Sequence, residues 1–239
     1  MKFTRREMLV TGLGLLVTAG TGCTQTPSTL SRRPGTPWPG SISPPIKPNP
    51  GTHTVAAQRP ALHRPVNRQG LAGIEPRSWW TRFGPIRSKI NPMNGVNRIT
   101  VHHEGYTPVW FTDEQSTKAR LEQIRNIHTR DRHWGDIGYH YIIDRAGRVI
   151  QGRNIAYQGA HVHNHNPHNV GVMLLGNFEK QSPSHAQLTS LQSTLRDLMA
   201  RYRVPVRRVY THRELGPTVC PGRNLQPRVA SLRTSGALA

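Results

Sequence analysis

The run Val170-Gly171-Val172-Met173-Leu174-Leu175 is apolar on both of its alternating faces. A strand written this way is stable only when both faces are covered, which requires a sheet with this strand inside it and packing layers on either side. The neighbouring segments supply such a sheet. Arg98-Ile99-Thr100-Val101-His102 reads as a strand ending in histidines, Gly138 to Asp144 as a second, and Val149 to Gln151 as a third beyond the Arg145-Ala146-Gly147-Arg148 turn. Arg207 to Thr211 reads as a short strand leading into His212. Thr112-Asp113-Glu114-Gln115 and Ser184-His185-Ala186-Gln187 have the spacing of capping boxes, which open helices by satisfying free backbone N–H groups. The first predicts a helix to about Thr129 with Leu121, Ile124 and His128 on one side. The second predicts a helix burying Leu188, Leu191, Leu195, Leu198 and Tyr202 as one stripe until Pro205 stops it. Strands and helices intermixed in this way predict an α/β domain.

This pattern occupies residues 71–230 and the last nine residues, 231–239, read as a tail. Residues 23–70 are dominated by Pro, Ser, Thr, Gly and Arg, and seven prolines between Pro34 and Pro50 break any regular element, so this stretch reads as a tether. Residues 1–22 have a charged start, with Arg5-Arg6, followed by a short apolar run to Ala19, the layout of an export signal resembling that of the Tat pathway. Export to the periplasm or cell envelope is expected. Cys23 follows the small residues Thr21 and Gly22 and resembles the lipidated cysteine of a lipoprotein, although Gly20 stands where that resemblance prefers Leu or Val. Membrane anchoring through Cys23 and free secretion both stay open.

Lys and Arg total 32 against 12 acidic residues, a formal charge of +20, which draws the chain to anionic polymers without choosing among wall polymers, lipid headgroups and nucleic acid. The arginines are scattered, with no helix-wide basic stripe and no RNA-reading aromatic motif, so no nucleic-acid partner is expected. A monomer is expected.

Only two cysteines are present, Cys23 and Cys220. A lone thiol outside the cell needs a reason, and metal ligation is one. His102-His103 closes one strand, Tyr139-His140 lies in another, and Cys220 follows His212 by eight residues in a Gly- and Pro-rich loop. Imidazole and thiolate are natural zinc ligands, and catalytic zinc generally keeps three protein ligands with one position open to water. Thirteen histidines give many chance pairs, so spacing alone does not separate a metal site from ordinary polar strand ends.

Five ordered motifs carry a resemblance. Val101-His102-His103-Glu104-Gly105, Asp136 to Ile143, Gly159-Ala160-His161, Asn169 to Val172 with Gly176-Asn177-Phe178, and His212-Arg213-Glu214 with Thr218 to Gly222 are similar to those of the N-acetylmuramoyl-L-alanine amidase type 2 domain family, which includes a bacteriophage lysozyme and the peptidoglycan recognition proteins. The resemblance covers roughly residues 75 to 228 and implies a mixed central sheet flanked by helices. It implies Zn2+ held by His102, His212 and Cys220, with Tyr139 and Thr218 as catalytic residues and His161 and Asn177 toward the substrate groove. The implied activity is hydrolysis of the amide between N-acetylmuramic acid and L-alanine in peptidoglycan or muropeptides. The alternative is a non-catalytic peptidoglycan-binding module; recognition-only relatives commonly carry Ser at the cysteine position, so Cys220 argues for catalysis. A zinc peptidase cutting within the stem peptide is a further alternative. His103 is expected on the opposite side of its strand from His102, Glu214 to orient a ligand histidine or cap a turn, and His163, His165 and His168 to be solvated loop residues.

Overall fold

The computed structural model describes residues 73–238. The expected export signal, the tether and Cys23 lie outside the described residues.

Among the described residues, six strands form one sheet in the order β1-β4-β3-β5-β2-β6: β1 is Ile74–Glu75, β2 Arg98–His103, β3 Tyr141–Ile143, β4 Val149–Gln151, β5 Asn169–Leu174 and β6 Val209–Thr211. Only β3 and β4 pair antiparallel; every other neighbouring pair is parallel, so the sheet is mixed. β5 sits inside the sheet and every residue in it is buried, as its two apolar faces demand. Its side chains alternate between two cores. Val170, Val172 and Leu174 join Leu191, Leu195 and Leu198 on one face. Met173 joins Leu121, Ile124, Ile137 and Tyr139 on the other.

The two main helices cover these faces. α1, Glu114–Asn126, supplies Leu121 and Ile124 to the second core. Its N-cap is Asp113, whose side chain accepts from the Ser116 N–H at 2.8 Å, one residue later than the expected box at Thr112. A carboxylate already aligned with that N–H outcompetes the threonine hydroxyl. The helix also ends differently from expectation, as Ile127–Asp131 widens into a π-helical turn that buries His128. α2, His185–Tyr202, begins with the expected reciprocal box between Ser184 and Gln187 and ends at Arg203, which turns left-handed at φ 54°. Truncation of its stripe by Leu195→Ala is expected to lower unfolding free energy by about 3 kcal/mol, read by urea denaturation, because the leucine is fully enclosed and leaves a cavity.

Two boundaries differ from the sequence reading. Regular pairing of β3 starts at Tyr141, leaving Gly138 to His140 irregular yet tied by His140 N–H to the Gly171 carbonyl at 3.0 Å. The segment from residue 231, read as a tail, instead completes a third helix, α3, Gln226–Thr234, and places Leu238 in the first core at 4% exposure.

Candidate metal centre

Parallel pairing brings two histidines together. Val101 of β2 pairs with Thr211 of β6, so the next residue on each strand, His102 and His212, emerges at the same edge, with ring centroids 4.7 Å apart. The His212–Glu214 turn is held by its own capping box: Glu214 accepts from the Thr211 N–H at 2.7 Å, and Arg233 of α3 pairs with the same carboxylate at 2.6 Å. Glu214 therefore caps the turn that presents His212.

Cys220 arrives on the loop after that turn. Arg213 N–H donates to the Cys220 carbonyl at 2.9 Å, and the Cys220 N–H donates to the Thr218 hydroxyl at 3.1 Å, so Thr218 shapes the bend that aims the sulfur. The thiol is free and buried, receives the His103 N–H at 3.4 Å and stands 3.6 Å from His102 Nδ1. One ligand atom from each of His102, His212 and Cys220 lies within 4.8 Å of the others.

This donor set fits zinc. Tetrahedral bonds of about 2.3 Å to sulfur and about 2.0 Å to nitrogen separate the two donors by about 3.5 Å, close to the sulfur–Nδ1 distance of 3.6 Å. Protonation favours the same outcome. Burial lowers His102 well below the usual histidine range and takes His212 to about 4, leaving both rings neutral with lone pairs to offer. Burial also pushes the Cys220 thiol up to about 12, so the pocket keeps this sulfur protonated unless a cation displaces the proton.

The other expected residues take distinct places. The Tyr139 ring is 6% exposed and lies 5.2 Å from the His102 ring, between the second core and the donor cluster. Burial, with Cys220 next in effect, holds its phenol well above the usual tyrosine range, so it stays a neutral donor. His161 is 2% exposed and lies behind His102, its Nδ1 3.0 Å from His102 Nε2. Asn177 donates to the carbonyls of Gly105 and Tyr106 at 3.2 and 3.0 Å, fastening the loop that leaves β2. His103 turns away from His102 to accept the Phe178 N–H at 3.1 Å.

Several supporting residues had no role assigned in the sequence. His140 accepts the Gly171 N–H and faces the Tyr157 carbonyl, bracing β5 against the loop before His161. Glu104, buried at 1% exposure, pairs with Arg120 of α1 beneath the β2 loop. Arg153, at 3% exposure, reaches the carbonyls of Asp136, Ile137 and Gln158. Arg153 stands in the polar Gly152-Arg153-Asn154 stretch after β4, so its residue type gave no signal, and two of its three carbonyl partners lie 16 and 17 residues back along the chain.

Known proteins resemble this chain in sequence and in fold. The chain is 36% identical over 157 residues to peptidoglycan-recognition protein SC2 of Drosophila simulans, covering 65% of this chain and 83% of that protein. It is 31% identical to the N-acetylmuramoyl-L-alanine amidase of Sus scrofa over 64% of this chain, which is 26% of that longer protein. Among solved structures, bumblebee PGRP-SA superposes with a TM-score of 0.60 at 26% identity, covering 66% of this chain and 93% of that one. The N-acetylmuramoyl-L-alanine amidase LysC of Clostridium intestinale superposes with a TM-score of 0.54 at 25% identity, covering 66% and 96%. The family model described as N-acetylmuramoyl-L-alanine amidase matches residues 92–223, more than half of the sequence, and the chain belongs to that family.

Proposed function

We propose that the chain hydrolyses the amide between N-acetylmuramic acid and L-alanine in peptidoglycan, at a zinc ion held by His102, His212 and Cys220. The observation that carries this reading is the convergence of two neutral imidazoles and one buried thiol within 4.8 Å. Zinc bound there would supply a Lewis acid and lower the pKa of a coordinated water toward neutrality. The protein's own groups do the rest. His102 and His212 are fixed by the β2–β6 register, so the donors need little rearrangement. Tyr139, kept protonated by burial, can donate a hydrogen bond to charge developing on the substrate carbonyl oxygen. Thr218, half-buried beside Cys220, offers a hydroxyl at the mouth of the same loop.

A muropeptide substrate is supported by a neighbour in the same fold, peptidoglycan recognition protein LE, whose structure contains tracheal cytotoxin, a monomeric diaminopimelic acid-type peptidoglycan. Recognition proteins among the relatives make binding without turnover the second reading. Cys220 weighs against it, because it completes the donor set. Mass spectrometry of purified muropeptides after incubation distinguishes the two: free lactyl ends and new L-alanine amino ends, lost on chelation, support the amidase, and intact fragments that stay bound exclude it.

Among the protein donors, the thiol alone is expected to make zinc affinity depend on pH. His212, at about 4, is already neutral above that value, whereas Cys220, near 12, must surrender its proton on binding. Apparent affinity should therefore rise about tenfold per pH unit between about pH 5 and 6, with one proton released per ion, and nearer neutrality ionisation of a coordinated water would add to the release. Calorimetry in buffers of different ionisation enthalpy reads this directly; binding without proton release would remove the thiolate from the site.

A further inference from the structure

The proton positions on His102 and on the His161 ring behind it are dictated by one backbone carbonyl. The Asn169 carbonyl, which can only accept, lies 3.2 Å from His161 Nε2, so that nitrogen carries the proton. In a neutral imidazole the other nitrogen is then bare, and His161 Nδ1 lies 3.0 Å from His102 Nε2, which must donate to it. His102 Nδ1 is left without a proton, and it is this atom that stands 3.6 Å from Cys220 Sγ. Neither ring has a hydrogen-bonded carboxylate among the described residues that would hold a second proton.

The slot around His161 is fitted to this arrangement. A Cβ on Gly171 of β5 would come within 2.7 Å of the His161 ring, and one on Gly159 within 2.2 Å. Both positions are thus cleared for the imidazole, since side-chain carbons do not approach so closely. Asn166 Oδ1 accepts the N–H groups of His161 and Val162 at 2.9 and 3.0 Å, fixing the backbone from which the ring projects. The accepting end is fixed as firmly: the Asn169 side chain accepts from the Thr100 hydroxyl at 2.9 Å, and Thr100 lies on β2, two residues before His102.

We propose that His161 is a positioning residue which, through the Asn169 carbonyl, holds the His102 proton on Nε2 and presents bare Nδ1 to the metal before any metal arrives. Histidine ligands usually donate their second N–H to a carboxylate, a carbonyl or water; here a second imidazole takes that part, passing the constraint of a main-chain carbonyl across the β2–β5 pair. The inference rests on the zinc reading for its purpose, but its structural content is testable without metal.

Long-range proton–nitrogen NMR of the metal-free full chain, with nitrogen-15 histidines, is expected to show both His102 and His161 protonated on Nε2. His161→Phe, which fills the slot but cannot accept, is expected to weaken zinc binding about tenfold or more in competition with a chromogenic chelator. His161→Asn, whose side-chain carbonyl stands near the lost Nδ1, should recover most of that affinity, a recovery that a packing role would not produce. A metal-free wild-type protein with the His102 proton on Nδ1 overturns the proposal even if no variant folds. So does a folded His161→Phe chain that binds zinc as tightly as the wild type. If the wild type binds no zinc at all, the metal reading fails first, whereas normal wild-type binding combined with the wrong tautomer overturns only the relay.

Discussion

Cys220→Ser is expected to leave the fold standing and remove zinc and turnover together. The sulfur is enclosed at 4% exposure and serine differs from cysteine by one atom, so the metal-free variant should melt within a few degrees of the metal-free wild type. A serine hydroxyl, however, does not ionise near neutrality and is a poor replacement for thiolate. The wild type should purify with about one zinc per chain and the variant with almost none. Hydrolysis of muropeptides should fall by more than about 100-fold, beyond the upper range for loss of a group that merely supports a ligand. Elemental analysis and a product assay on the same preparations check both halves. A folded serine variant retaining zinc and full activity would place the reaction elsewhere in the molecule.

The second large effect is on stability, at Arg153→Met. This guanidinium donates to the carbonyls of Ile137, Gln158 and Asp136 at 2.8, 2.6 and 3.0 Å. Burial pulls its pKa down to about 10, and the Asp136 carboxylate partly offsets this, so the side chain is still charged at neutral pH. Methionine fills much of the same volume but leaves all three acceptors unpaired in a closed interior, each costing about 1–3 kcal/mol. A loss of about 4 kcal/mol is expected from urea denaturation, with a drop of about 8–16 °C in melting temperature for a domain of this size. The effect should reach the site as well. The backbone bond from the Arg153 N–H to the Tyr139 carbonyl at 2.7 Å survives the substitution, but the side-chain bonds that fasten the two residues just before Gly138 do not, so the segment carrying Tyr139 is held less firmly. A variant as stable as the wild type would show that water satisfies these carbonyls.

Much of the architecture was written locally. The run from Val170 to Leu175 required a strand covered twice, and β5 lies between β3 and β2 with its side chains divided between two cores. The Ser184–Gln187 box and the leucine stripe that follows need only helical periodicity to be read, and α2 matches them. The Asp113 cap, the π-helical turn and the α3 helix that carries the fold past residue 230 were not legible. Each depends on competition between near-equal local options, settled by what the neighbouring elements bury.

The site divides along the same line. Residue types alone drew attention to His102-His103, Tyr139-His140, His212 and Cys220 as zinc-type donors, and it was the resemblance to the amidase family that selected His102, His212 and Cys220 among thirteen histidines. Motif likeness set their company, but distances did not follow from it. The meeting of His102 with His212 was decided by the pairing of Val101 with Thr211, and the arrival of Cys220 by the turn that Thr218 and Arg213 brace. The place of His161 behind His102 was decided by two glycines on separate segments leaving room for one ring. Chemistry that resides in a side chain can be read from the chain; chemistry that resides in which lone pair faces which proton exists only once the strands are in register.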